Sequence, residues 1–325
     1  MRELSVAEGN SEVGTLRIAE AIMPAMAQMT MPLSKEYTLE IMDLDSAEAK
    51  VTVDGRSLKN VSKRGKLKSQ SSPWSFDIDS LNRATLTIGS FSWGKDGTYF
   101  KFLNKSFKAI DAANCEVLVI DIRDNTGGSS ERMEAVFDHI QLQPINVPTN
   151  IIAKQSELSK DRYARTFRGL SRFVLKTFMK GNEDVRNYIA MAEMEIGNSD
   201  TLFYKHRREP SKHRFKGEVY VLMNGRTGSA AANFAAAFKK HELGTLVGEP
   251  CLGPMSGTWG NAVDYTLPKS KVRIHISSIR FNVDNTFSRD PISVQPDHFI
   301  ETSRRDLIDG VDTVKEFALQ LSQDQ

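Results

Sequence analysis

Two stretches of the chain share one plan, and that plan limits what the chain can fold into. "EVLVIDIR" at 116–123 is a nearly unbroken apolar run that stops at "DNTGG" and passes into a helical pattern from Ser129 to about Ile140. "GEVYVLMN" at 217–224 stops at "GRTG" and passes, through Ser229, into "AAANFAAAFKKH". Runs without polar alternation mark strands buried on both faces, as in parallel sheets covered by helices. Strand, helix and strand at these lengths imply parallel strands with crossover helices, an α/β class. A third short strand is expected in "GTLVGEP" at 244–250. Such sheets do their chemistry at the carboxyl ends of the strands, and both glycine-bearing breaks fall there.

The rest of the chain is arranged around this core. Residues 13–30 read as a short helix interrupted at Pro24. "EYTLEIMDL" and "AKVTVDG" alternate apolar and polar residues, as two antiparallel strands do. Residues 57–75 are basic, serine-rich and aperiodic, so they read as a linker. The part before 76 is too small and polar to look like a complete domain, so a boundary is placed between 1–75 and 76–325. "RATLTIGSFSW" reads as a strand. In "TYFKFLNKSFKAIDAA" the residues Phe100, Leu103, Phe107 and Ile110 recur at helical spacing. An insertion, about 145–215, holds a basic amphipathic helix, "KDRYARTFRGLSRFVLKTFMKG", expected to pack as a lid. "DYTLPKSKVRIHISSIRF" reads as a hairpin with a Pro-Lys-Ser-Lys turn that leaves Lys269 and Lys271 in solvent, and the tail closes with a helix.

Composition excludes several function classes. A formal net charge of +2 gives no concentrated basic surface for nucleic acid. Two cysteines, Cys115 and Cys251, form neither a disulfide framework nor a zinc cluster, and CxxC and HExxH are absent. No metal and no cofactor is therefore expected. No apolar run reaches the roughly 18 residues that a membrane span needs. The first residues lack the charged start and apolar centre of a signal peptide.

Ser229 is either a helix cap or a nucleophile. A sharp strand-to-helix turn exposes the side chain at the turn, and the helix start offers free N–H groups and the positive end of its dipole. An oxyanion formed by attack of Ser229 on a carbonyl would lie beside the N–H of Ala230. This is the logic of a nucleophile elbow, though the residues are Thr-Gly-Ser-Ala-Ala. By itself the pattern suits a plain N-cap better. The second break adds Gly127 and Gly128, whose N–H groups can approach a ligand closely.

Taken together, "VLVIDIRDNTGGSS", "VYVLMNGRTGSAAANFAAAF" and "GTLVGEPCLG" resemble the core of the tail-specific, or C-terminal processing, serine peptidases, relatives of the tricorn core and of nisin-resistance peptidases. "LTIGSFS", "YTLPKSKVRI" and "VQPDHFIETSRRDLIDGVDTV" extend the resemblance over roughly 80–325. It implies a Clp-protease/crotonase-like α/β catalytic domain and an unfolded polypeptide substrate. It also implies an exported, periplasmic location and Ser229 as the nucleophile. The oxyanion hole would be the N–H of Ala230 with that of Gly127 or Gly128. Residues 1–75 would be the end of a PDZ-like module. Gly128→Val is expected to damage activity more than stability.

The general base departs from the family pattern. One branch uses a lysine in a Gly-Lys-Gly loop, and the matching position here is Pro254, in a loop without lysine. The other branch uses a histidine well upstream, and no histidine precedes His139. His139 and His241 suit helix C-termini, His206 and His213 a basic loop, and His275 the solvent face of a strand. His298, in "QPDHF", is the candidate base, with Asp297 to orient it. Glu249 and Arg123 are expected to hold loops. Three readings stay open: a peptidase whose histidine lies upstream of this chain, a degenerate member that binds extended peptides without cutting them, and, on fold alone, an acyl-thioester site.

Overall fold

The computed structural model describes residues 9–32, 34–42, 47–55, 72–141, 143–160, 183–203 and 209–323. The amphipathic segment expected as a lid helix, at 160–181, lies almost wholly outside them, as do His206 and most of the expected linker. In chain order the elements begin with α1 (Glu12–Thr30), β1 (Glu36–Met42), β2 (Glu48–Asp54), β3 (Trp74–Ile78) and β4 (Arg83–Ile88). Next come α2 (Asp96–Ala112), β5 (Val117–Asp121), α3 (Ser130–Phe137), β6 (Asn150–Lys154), α4 (Glu183–Glu193) and β7 (Ser199–Phe203). Then follow β8 (Glu218–Met223), α5 (Ala230–Lys240), β9 (Thr245–Gly248) and β10 (Gly257–Gly260). The chain closes with β11 (Val263–Thr266), β12 (Arg273–Ile276), β13 (Ile279–Asn282), β14 (His298–Phe299), α6 (Arg304–Asp309) and α7 (Thr313–Leu321).

The central sheet has the order β14-β9-β8-β5-β4-β3. All its neighbours run parallel except β3, which pairs antiparallel with β4. Its strands alternate between two cores. Leu118, Ile120, Val219, Val221 and Leu246 face α2, α3 and α5. Val117, Val119, Tyr220, Leu222 and Val247 face α7 through Val314 and Ala318. That division explains why β5 and β8 carry apolar residues at consecutive positions: each residue meets a helix on its own side. Each fully buried Leu, Ile or Val contributes about 1.5–3 kcal/mol.

α7 is fixed by charge as well as by packing. Arg123, just past β5, donates to Asp121 and to both oxygens of Asp312, the N-cap residue of α7, at 2.7 Å each. Burial works against the Asp312 carboxylate, but the bonds and charge of Arg123 outweigh it and hold the group below the usual carboxylate range. A depressed carboxylate adds stability above its unfolded value, about 3.9, and loses it as pH falls through the folded value. Arg123→Ala is expected to lower stability by about 1–3 kcal/mol at pH 7, and by less at pH 3. Chemical denaturation at the two pH values checks both.

Several expectations are corrected. α1 runs through Pro24, because a proline in a helix removes one backbone bond without ending the helix where the remaining bonds hold. The sheet starts at Trp74, inside the expected linker, since Trp74, Phe76 and Ile78 alternate inward against β4. The insertion is not only helical. β6 and β7 join β10 and β13 in a second, antiparallel sheet of order β10-β13-β6-β7, and its apolar side packs on α4 through Met191 and Tyr188. The expected hairpin stops at Ile276: β11 and β12 pair with each other, and "SIRF" leaves for the second sheet as β13. These residues alternate as a hairpin would, and only pairing to distant β6 decides their sheet. The β1–β2 hairpin forms as read, with Lys269 and Lys271 exposed in the β11–β12 turn.

Candidate active site

β5 and β8 lie side by side and parallel, so their glycine-bearing breaks emerge together at one edge of the sheet. Hydrogen bonds tie the two breaks. Gly228 N–H donates to the Asn125 carbonyl at 2.9 Å, Asp124 N–H to Asn224 Oδ1 at 3.0 Å, and Thr227 Oγ1 to the Ile122 carbonyl at 3.1 Å. The alanines of α5 let the helix lie close to its neighbours: Ala231, Ala232, Ala235, Ala236 and Ala237 are all 0% exposed.

Ser229 occupies the N-cap position of α5 but does not cap it. Its backbone is at φ 49 and ψ −125, and its side chain makes no cap hydrogen bond. Ser129 shows the ordinary arrangement one helix earlier, with φ −69, ψ 123 and an Oγ that accepts from Arg132 N–H. The left-handed φ of Ser229 costs on the order of 1–3 kcal/mol for a residue with a Cβ. It is held by the surrounding bonds, and the residue is half-buried. Among the described residues Ser229 Oγ has no hydrogen-bond partner.

Gly127 and Gly128 stand opposite this turn, at φ 104 and 138. A Cβ on Gly127 would lie 2.5 Å from Ser229 Cβ and 2.8 Å from Ala230 N, so the two breaks touch at the serine. Gly127 N–H is already committed, to Asn125 Oδ1 at 2.8 Å. Asn125 is itself 0% exposed and donates to the Ile88 carbonyl. Gly128 is exposed. The N–H groups of Gly128 and Ala230 have no acceptor among the described residues. Gly128 also lies on the β4–α2 connection: a Cβ there would be 2.4 Å from the Phe91 carbonyl carbon. Gly128→Val must therefore disturb the fold along with the site, which corrects the expectation of an effect mainly on activity.

Glu249, expected to hold a loop, clamps the elbow from outside together with a partner that the sequence did not disclose. Glu249, 5% exposed, accepts from Gly225 N–H at 3.1 Å and from Arg17 of α1 through Nε and Nη2. The bonds to Glu249 keep the Arg17 guanidinium firmly charged, above its ordinary value, despite burial. A Cβ on Gly225 would meet Val13 O at 3.0 Å and Gly14 Cα at 3.1 Å, so the first turns of α1 rest directly on the elbow. Pattern alone could not show this, because the partners are 232 residues apart. Glu249→Gln is expected to cost about 1–3 kcal/mol by removing the buried counter-charge of Arg17, which keeps only its exposed partners Glu20 at 3.0 Å and Glu301 at 3.5 Å. A parallel loss of Ser229 reactivity, exceeding that of Glu40→Gln on the exposed β1–β2 hairpin, separates a clamp on the elbow from general destabilisation.

The candidate base is not brought to Ser229. His298 pairs with Val247 in register, so it shares Val247's side of the sheet, with its ring centroid 5.4 Å from that of Phe317 in α7. α5 lies on the other side. Asp297 is held at the far end of α5 by Lys239 Nζ at 2.7 Å and Leu246 N–H at 2.8 Å. His139 is buried and stacks on Phe107. His213 pairs with Asp111, His275 pairs with Asp264 on the exposed hairpin, and His241 ends α5. Pro254 is buried and bridges to Ser293. Its loop covers the elbow, with Leu252 N–H donating to Thr227 O at 2.8 Å. Among the described residues no group of three or more His, Cys, Asp or Glu side chains is placed to hold a metal, and no helix is long and apolar enough to cross a membrane.

A parallel sheet with crossover helices, carrying a strained and uncapped serine beside free N–H groups, defines an α/β protein of the serine-hydrolase kind. The sequence profile of Peptidase family S41 matches residues 82–299, well over half of the chain, and the chain belongs to that family of serine peptidases. Among solved structures, a mutant of CPAF is 17% identical, with a TM-score of 0.58 over 90% of this chain and 68% of that one. Mature CPAF is 15% identical, with a TM-score of 0.52 over the same shares, 90% and 68%. Mature CPAF complexed with lactacystin is 16% identical, with a TM-score of 0.52 over 90% and 69%. These likenesses concern the fold. No curated protein is significantly similar in sequence.

Proposed function

We propose that the chain hydrolyses peptide bonds of unfolded polypeptides through an acyl-enzyme on Ser229. The observation that carries this reading is the backbone of Ser229, at φ 49 with its hydroxyl left uncapped. A merely structural serine gains nothing from that strain, whereas a nucleophile gains exposure beside the helix start. The N–H groups of Gly128 and Ala230 are the pair that would stabilise the oxyanion, and Asn125 fixes the loop by holding Gly127. Preorganised donors of this kind typically contribute about 10²–10³-fold each. Attack also needs a base to take the hydroxyl proton, and no described histidine or lysine is hydrogen-bonded to Ser229. That observation, with Pro254 at the family's lysine position, favours a second reading in which the site binds extended peptides without cutting them.

Labelling of the full chain with a fluorophosphonate probe separates the two readings. Labelling that disappears in Ser229→Ala supports the peptidase. A well-folded chain that stays unlabelled, yet binds peptides, supports the binding reading.

A further inference from the structure

A buried arginine that the chemistry does not use holds a tryptophan in solvent beside the site. Arg132 of α3 is 4% exposed. Its guanidinium donates to Asp96 Oδ1 at 2.7 Å, to the Trp93 carbonyl, and to the Gly94 carbonyl at 2.8 Å. It also lies 5.7 Å from the centroid of the Trp74 ring. Trp93 stands edge-on to Trp74, with ring centroids 5.0 Å apart and planes at 86°. Even so, Trp93 keeps 38% of its surface exposed. Among the described residues Trp74 is its one ring partner. Burying a guanidinium is costly unless its bonds are well placed, and two of these bonds fix the backbone of an exposed turn.

The same turn is locked to the glycines of the site. Phe91 N–H donates to the Gly127 carbonyl at 3.1 Å, and the Phe91 carbonyl accepts from Ser129 N–H at 3.2 Å. Phe91 therefore runs alongside Gly128, as a parallel bridge. Gly128, Ser92 and Trp93 are all exposed, so the surface is open from the glycine to the indole. The sheet order sets the distance. β8, β5, β4 and β3 are consecutive neighbours. Ser229 follows β8, Gly128 follows β5 and Ser92 follows β4. Trp74, which carries Trp93, opens β3 at the same edge, opposite Ile88 in register. Three strand spacings place this platform roughly 14 Å from the serine turn. An extended chain advances about 3.3–3.6 Å per residue, so a polypeptide crossing the edge from Ser229 reaches Trp93 about four residues away.

We propose that Trp93 determines specificity by receiving an aromatic or large apolar side chain of the polypeptide, about four residues from the bond presented to Ser229. The proposal rests on the reading that the site engages extended polypeptides. An indole face in solvent gains by covering apolar surface and by aromatic stacking. Trp74 and the bonds of Arg132 preset its position, so little ordering cost is left for binding. The buried charge of Arg132 and the exposed Lys95, two residues on, oppose a basic side chain at this place.

The test uses the full chain carrying Ser229→Ala, so that binding is read without hydrolysis. Three dodecapeptides of one alanine and serine sequence, with Phe, Lys or Ala at a single central position, are compared by fluorescence anisotropy. The Phe peptide is expected to bind about tenfold or more tightly than the Ala peptide, and the Lys peptide no better than the Ala peptide. Trp93→Ala is expected to erase the Phe preference and Trp93→Phe to keep most of it. Equal affinity for all three peptides overturns the proposal. So does a Phe preference that Trp93→Ala leaves intact, or a Trp93-dependent preference for Lys. If Trp93→Ala does not fold, photo-crosslinking with benzoylphenylalanine at the central position decides the matter. Crosslinks within residues 91–97 are expected, and crosslinks confined to other segments overturn the assignment. Where the chain with Ser229 restored cuts the Phe peptide, mass spectrometry should place the cut about four residues from Phe; a cut next to Phe overturns the spacing. If no peptide binds at all, the polypeptide reading fails and the proposal falls with it, a result distinct from binding without preference.

Discussion

Ser229→Ala is expected to eliminate covalent labelling and to lower peptide hydrolysis by at least about 10³-fold, the scale of losing a nucleophile whose partners cannot replace it. The same change is expected to leave the thermal midpoint within about 2 °C, because Ser229 Oγ makes no cap bond that would be lost. That pairing of outcomes is the discriminating feature. An N-cap serine such as Ser129 gives the reverse pattern on truncation, a stability loss of about 1 kcal/mol with activity largely kept. Ser229→Gly should be modestly more stable than Ser229→Ala, since glycine relieves the positive φ at position 229. Turnover measured with a quenched fluorogenic peptide, beside calorimetric melts, reads both effects. Hydrolysis that persists in Ser229→Ala above a mock preparation would remove Ser229 from the chemistry.

Gly127→Ala is expected to have the largest effect on stability. The added Cβ would lie 2.5 Å from Ser229 Cβ and 2.9 Å from the Gly228 carbonyl oxygen, on a backbone at φ 104. None of these contacts is the far end of a flexible side chain, so the two breaks must separate. Strain and overpacking together are expected to cost about 2–5 kcal/mol, or roughly 5–15 °C in the midpoint of a domain this size. Labelling of Ser229 should fall even in the fraction that remains folded, because the separation displaces Ala230 N from the serine. A variant that melts like the wild type and labels at full rate would show that the two breaks do not meet as described.

The sheet was readable because its cause is local. A strand buried on both faces has no room for alternation, and "VLVID" and "VYVLM" are written that way. The carboxyl-end location of Ser229, Gly127 and Gly128 follows from the parallel order and needs no distant contact. The choice between Gly127 and Gly128 as donor was not readable, because it depends on where Asn125 turns its side chain. The second sheet was missed for a related reason. β6, β7, β10 and β13 come from far-separated segments, and each of the four is at most five residues long, too short to announce its partner.

His298 and Asp297 mark the sharpest divergence. They lie within a stretch that resembles the family, "VQPDHFIET", which made them look close to the site. Parallel pairing of His298 with Val247 fixes the side of the sheet the ring occupies, and a period of two admits no compromise between sides. Arg17 and Glu249 make the converse case: nothing in either neighbourhood predicts that α1 closes over the elbow.

From the sequence alone came the α/β class, the parallel strands with their crossover helices and the serine at the turn, because backbone propensity and burial pattern are carried by consecutive residues. Tertiary structure alone decided whether that serine is a cap, which glycine N–H is free and which charges meet. Those questions turn on φ values, on where side chains such as Asn125 turn, and on contacts between distant segments that exist only once the sheet has assembled.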